Sequence, residues 1–231
     1  MFEIIIRLNS DCLIGSGKGY GAVIDSDVIL DDLGIPYIPG KRIKGLLRNS
    51  ACDVISMFNL SHISLLDSPN NLKMCDLIDE LFGKPGDSIS SIIRVDNFFI
   101  KDYYDNYDKI QKELQYFKNK FPALLNHQNI TQNFCNIKNQ TKINIDGVAA
   151  DKSLRTNRTV KSGILFKGKI DFECENALQE TYHKLIYYAS LNLRNMGTNR
   201  TRGYGNIELE ILDEKNLILE FKNELEQLCD T

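Results

Sequence analysis

The order in which apolar periodicities follow one another along this chain restricts its fold more than any single motif does. Residues 2–9 alternate weakly around Ile4 and Ile6 and read as a strand. Residues 41–58 carry Ile43, Leu46, Leu47, Val54 and Phe58 at helical spacing, behind the rigid turn Pro36-Tyr-Ile-Pro39-Gly40. Residues 91–100 alternate again around Ile92, Ile93, Val95 and Phe98–Ile100. The same succession returns later, with a strand over 163–173, a helix over 176–193 and a strand through Ile207, Leu209 and Ile211. Two strand–helix–strand units separated by an insertion fit an α+β, ferredoxin-like sandwich better than a doubly wound sheet.

The remainder reads as additions to that frame. Residues 60–90 are irregular and polar, with a short helix around 74–82 and a break at Gly83-Lys-Pro85-Gly86. Residues 101–141 are rich in Asn, Gln, Lys and Tyr. An amphipathic helix (Ile110, Leu114, Phe117, Phe121) followed by polar loop is expected there, as a thumb projecting from one domain that spans residues 1–231. Residues 22–30 read as a short strand with Asp25 and Asp27 on one face, and 217–228 as an acidic amphipathic helix.

The start of the chain lacks the basic region, long apolar core and cleavage site of a signal peptide, and no apolar run approaches the roughly 20 residues of a membrane span. A cytoplasmic location without a membrane partner is the expectation. There the six scattered cysteines act as reduced small hydrophobes, and Cys52, His62 and Cys75 lack the spacing of a compact zinc finger.

Net charge is −3, which argues against nucleic acid, but its distribution argues the other way. Residues 41–48 hold Lys41, Arg42, Lys44 and Arg48 with no acid; residues 152–169 hold Lys152, Arg155, Arg158, Lys161, Lys167 and Lys169 with none. Eight acids and two lysines follow Gly205. One basic and one acidic face are expected, the alternative being solvated charge runs on unrelated surfaces.

Within residues 194–205 lie three arginines, three glycines and no acid: Arg194-Asn-Met-Gly197-Thr-Asn-Arg200-Thr-Arg202-Gly203-Tyr-Gly205. Glycine admits positive φ and close approach of backbone to a ligand, and the arginine fork matches phosphate oxygens. This suits a polyanion; an ordinary surface turn has the same look. The other glycine-rich stretch, Gly15-Ser-Gly17-Lys18-Gly19-Tyr-Gly21, is no phosphate-binding Walker loop. A strand-like run follows it where a dinucleotide fingerprint needs a helix, so it reads as a loop.

Three stretches carry a resemblance: Val23-Ile24-Asp25-Ser26 continuing through Ile35-Pro36-Tyr37-Ile38-Pro39-Gly40-Lys41-Arg42-Ile43-Lys44-Gly45-Leu46-Leu47-Arg48; Leu81-Phe82-Gly83; and Met196–Gly205. Together they resemble the RAMP superfamily of CRISPR effector subunits, especially the repeated backbone subunit of type III complexes. Residues 141–166 look like the type III-D branch. The resemblance implies a modified RNA-recognition fold with an inserted helical thumb, polymerising along a guide RNA beside other effector subunits. Lys44 and Arg48 match the family's helix-start cations, and Arg200, Arg202, Gly203 and Gly205 its glycine loop, as implied guide-backbone contacts. Lys18, Lys41, Arg42, Arg155 and Arg158 join them as candidate RNA contacts. Asp25 stands where target-cleaving members carry an aspartate that cuts bound target RNA with Mg2+ or another divalent metal, and Asp27 is the candidate second ligand. A solvent-facing aspartate in a turn is the plain alternative for Asp25. Non-cleaving branches that rely on a partner nuclease share most of these motifs. A stand-alone processing endoribonuclease would want a His, Lys or Tyr near the RNA, and His62, His127 and His183 lie outside the glycine-rich stretches.

Overall fold

Both strand–helix–strand units join one antiparallel sheet in the computed structural model, which describes residues 1–19, 23–61, 74–84, 86, 91–173, 179–212 and 217–229. Its path runs β2 (Ile93–Val95), β6 (Leu165–Phe172), β1 (Phe2–Leu8), β7 (Ile207–Leu212). Numbered within the two units, the strands lie in the order 4-1-3-2, the ferredoxin-like arrangement. Register follows the alternation, with Ile4 opposite Gly168 and Ile211, and Ile6 opposite Phe166 and Leu209. One face is therefore apolar. Phe2, Ile4, Ile6 and Leu8 are at most 1% exposed and pack against helices α1 (Gly40–Leu60) and α6 (Gln179–Asn192), each contributing about 1.5–3 kcal/mol. Ser50 Oγ donates to the Ala189 carbonyl at 2.7 Å and ties the helices together.

The opposite face is a mosaic of ion pairs. Glu3 lies between Lys167 and Lys169, at 3.3 Å from each, and Asp105 reaches Lys167 at 2.8 Å. Lys161 donates to the Gln132 and Asn133 carbonyls at 2.9 Å. The 152–169 run is therefore not one continuous basic face, because distant parts of the chain supply partners to several of its cations.

Helix α2 (Met74–Phe82) forms where expected. The strand read over 91–100 is divided: β2 ends at Val95, and β3 (Phe99–Ile100) rejoins β6 after a corner that seats the buried Phe98 on Ile38. Residues 23–30 form no strand, contrary to the alternation. Ser26 bridges Asn157, Val28 bridges Gly15 and Leu30 bridges Pro36, so the partner changes every two residues and no ladder builds.

Beyond β3 come α3 (Lys101–Asp105), α4 (Tyr107–Lys120) and α5 (His127–Phe134). The expected amphipathic helix is α4, but α5 and β4 (Cys135–Gln140) replace the expected polar loop. Strand β4 pairs with β5 (Arg155–Val160) from Cys135 opposite Val160 to Gln140 opposite Arg155. Helix α7 (Leu217–Cys229) closes the described chain, with Glu224 on Lys184 at 2.9 Å. Among the described residues no helix is long and apolar enough to cross a membrane.

Candidate nucleic-acid interface

The loop leaving β1 lies between the two features that the sequence singled out. On one side Cys12 exchanges backbone hydrogen bonds with Val160 at 2.8 and 2.9 Å. On the other, Leu13 accepts from Thr198 N–H at 3.2 Å, and Gly205 N–H donates to the Asp11 carbonyl at 2.9 Å. The 194–207 loop closes on itself through Met196 N–H to Gly205 O (2.8 Å) and Ile207 N–H to Arg194 O (2.9 Å). At its crown a single 3-10 turn, Arg200–Arg202, is bracketed by Asn199 and Gly203 in left-handed conformations. Gly197, at φ +84°, passes so near Leu13 that a Cβ would meet its carbonyl oxygen at 2.6 Å. The arginines are exposed on a closed frame, which fixes their backbone positions.

A cleft of about 310 Å3 opens where this frame meets Gly17, Lys18, Asp25, Ser26, Arg42 and Thr198. Asp25 is anchored by reciprocal bonds to Thr156: its N–H donates to the Thr156 carbonyl (2.8 Å) and its Oδ2 accepts from Thr156 N–H (2.7 Å). Its other oxygen lies 3.9 Å from the exposed Arg155, and the side chain is 46% exposed. Asp27 lines the same cleft but is held differently. Its two carboxylate oxygens accept from one Nη of Arg158 at 3.0 and 2.9 Å, and Oδ1 also accepts from Val28 N–H at 2.7 Å. Both side chains of that pair are nearly buried, at 14% and 11% exposure. The two aspartates thus line one cleft with different exposure, Asp25 half-exposed and Asp27 held by Arg158. Among the described residues no three His, Cys, Asp or Glu side chains converge as a metal cluster.

Helix α1 brings its cations to the same edge with different duties. Gly40, at its start, is buried against the Val95 and Asp96 carbonyls, and its N–H donates to Asn97 Oδ1 at 3.0 Å. Arg42 donates to the Gly15 carbonyl and holds the first glycine loop. Lys44 reaches Ser91 Oγ and the Ile93 carbonyl; burial lowers its pKa. Arg48 pairs with Asp79 at 2.7 Å. Lys41 is exposed. A second cleft, of about 400 Å3, lies between Lys41, Lys44, Arg48 and Lys84. Lys84 escaped the sequence reading, although it directly follows Leu81-Phe82-Gly83.

A third cleft, of about 720 Å3, lies at the loop end of the β4–β5 pair, between Lys142, Arg155 and Arg202. Gln140 joins hairpin to glycine loop: its Oε1 accepts from Arg202 (3.1 Å) and Asn157 (3.4 Å), and its Nε2 donates to Tyr204 (3.1 Å). Nothing in the sequence distinguishes Gln140 from its polar neighbours. The clefts are linked, the second to the first through adjacent Lys41 and Arg42, the first to the third through Asp25 and Arg155. Exposed cations along this edge include Lys18, Lys41, Lys84, Lys142, Arg155, Arg194, Arg200 and Arg202.

The other candidates lie elsewhere. His183 packs between the Phe2 and Phe172 rings, at 4.8 and 4.3 Å. Burial pushes the Cys12 and Cys135 thiols up to about 12, so both are protonated and unreactive at neutral pH. Of the zinc reading, Cys52 sits in α1, whereas His62 and the Cys75 side chain lie outside the described residues.

Known structures share this arrangement. A chain of the cryo-EM structure of the Type III-B Cmr-beta bound to cognate target RNA aligns with TM-score 0.61 at 14% identity, over 95% of this chain and 98% of its own. The apo state of Cmr-beta gives 0.59 at 13%, over 92% and 97%. A chain of a Type IV-B CRISPR complex gives 0.54 at 11%, over 92% and 90%. At such identities the likeness is one of fold. No curated protein sequence matches. The profile of the RAMP superfamily matches residues 6–208, from within β1 to within β7. With that match over most of its length, the chain belongs to the RAMP superfamily.

Proposed function

We propose that this chain is a guide-RNA-binding backbone subunit of a type III-like CRISPR effector, and that it cuts guide-paired target RNA at Asp25. The observation that carries the reading is the meeting of both glycine loops with the first turns of α1, along an edge of linked clefts with exposed cations. Phosphate contacts of this kind fix a strand's path without reading its sequence. The partners in this reading are guide RNA, target RNA, further copies of the chain and other effector subunits; the similar chains from CRISPR complexes, one with target RNA, support it.

For cleavage, the relevant chemistry is in-line attack of a 2′-hydroxyl on the adjacent phosphorus, which needs the strand held in position and developing charge neutralised. Lys18 and Arg155 flank Asp25 and are suited to hold phosphates. Asp25, half-exposed and fixed through Thr156, is suited to accept the hydroxyl proton or to carry a divalent ion. One carboxylate completed by water and substrate phosphates fits Mg2+, whereas Asp27 is engaged by Arg158. Bound there, the ion would supply charge neutralisation at the phosphate.

The test is Asp25→Asn, which keeps an acceptor for Thr156 N–H, in a complex reconstituted with guide RNA and Mg2+. Target cleavage should be lost while guide affinity stays within about twofold. Undiminished cleavage would move the chemistry away from Asp25. No cleavage by the unaltered complex would leave the chain an RNA-binding scaffold.

A further inference from the structure

The outer face of α4 differs from the rest of the surface. Ile110 and Leu114 turn toward the small core of Leu33, Ile35, Tyr103 and Ile130. Tyr116, Phe117 and Phe121 point away and are 57%, 42% and 43% exposed, with Leu124 beside them at 71%. The Phe117 and Phe121 rings stack with centroids 6.5 Å apart and planes 20° apart, and Tyr116 meets Phe117 edge-on at 5.5 Å. Lys120 Nζ lies 5.6 Å from the Tyr116 ring centroid and 5.5 Å from that of Phe121. From the start of α4 to residue 124 the chain holds Lys109, Lys112, Lys118 and Lys120 against Asp108 and Glu113, in a protein whose net charge is −3.

Flat rings interleaved with lysines are what an unpaired nucleic acid strand uses, since every base has a π face and every linkage a negative charge. The local positive charge singles out a polyanion among the occupants of an apolar patch. We propose that this face of α4 is a stacking platform for unpaired bases of single-stranded RNA, separate from the clefts along α1 and the glycine loop. Phe117 and Phe121 stack on bases, and Lys112 and Lys120 meet the adjoining phosphates. The inference rests on the guide-binding reading only in taking the polyanion to be RNA.

The test uses the full chain and a single-stranded oligouridine carrying 5-iodouracil, with crosslinked peptides located by mass spectrometry and affinity read by fluorescence anisotropy. Crosslinks are expected at Tyr116, Phe117 or Phe121. In the Arg200→Ala/Arg202→Ala background, Phe117→Leu with Phe121→Leu should weaken binding about tenfold or more, because leucine keeps apolar area but loses the π face. These positions lie outside the buried clusters, so a melting temperature within about 2 °C of the parent is expected alongside. Absence of crosslinks in residues 113–124, or unchanged affinity of the double leucine variant, would overturn the platform while leaving the guide track untouched. Unchanged affinity of Arg200→Ala/Arg202→Ala alone, with platform crosslinks intact, would reject those guide contacts and support the platform. If the leucine variants change self-association by sedimentation but not RNA affinity, the face is a protein contact and the proposal is wrong.

Discussion

Replacing Arg158 with alanine would remove the cation that neutralises Asp27, and the outcome decides whether Arg158 serves the fold or the RNA. The pair is 131 residues apart in sequence, and its side chains are only 14% and 11% exposed. Without Arg158, the Asp27 carboxylate keeps the Val28 N–H at 2.7 Å but loses its charge partner in a site with little access to water. Breaking such a pair from one side costs about 3–5 kcal/mol, because a buried charge is left uncompensated. For a domain of this size that corresponds to a fall in melting temperature of roughly 6–20 °C. Calorimetry or thermal circular dichroism on the isolated chain reads it directly. Asp27→Ala removes the arginine's carboxylate partner instead and should also destabilise. A melting temperature within about 2 °C of the parent, together with weakened RNA binding by Arg158→Ala, would refute the argument and make Arg158 a strand contact.

Along the guide track, Lys41→Ala and Arg200→Ala should each weaken all RNA sequences alike and lower the slope of log affinity against log salt by roughly one unit, measured by anisotropy titrations. Gly197→Ala, which combines φ +84° with the Leu13 carbonyl 2.6 Å from the new Cβ, should cost about 1–3 kcal/mol in urea unfolding. Gly203→Ala, equally left-handed but in open space, should cost less. Asp11 is partly desolvated, which raises its pKa, yet bonds from Ser162 N–H, Lys138 and Asn136 hold it below the ordinary 3.8. Its contribution to stability is full above that unfolded value and is lost as the pH falls through the lower folded one, so acid unfolding of Asp11→Asn should be shallower below about pH 4.

Strand β1, helix α1, helix α6 and strand β7 were legible because each buries one side against a common core, so packing imposes its period on the sequence. Residues 23–30 alternate just as well but exchange partners with β5, the first glycine loop and the Pro36 turn, and alternation alone does not reveal a missing ladder. Strand β4, Cys-Asn-Ile-Lys-Asn-Gln, has almost no apolar pattern; it is held by backbone pairing to β5 and by Lys138 on Asp11 at 3.2 Å. In the candidate site, the glycines and arginines of 194–205 were visible as local composition. The commitment of Arg158 to Asp27, of Lys167 to Glu3 and Asp105, and the bridging role of Gln140 were not, because each depends on a residue far away in sequence.

The seating of β1 between β6 and β7 governs how this protein comes off the ribosome. Residues 2–8, with their run of three isoleucines, have no sheet partner until residues 165–172 and then 207–212 have been made. At about 5–20 residues per second, the strand waits some 10–40 seconds in the nascent chain. The glycine loop, which closes on Asp11 and Leu13, is likewise made long after the residues it closes on. The apolar strand β1 is therefore the segment most in need of shielding during synthesis.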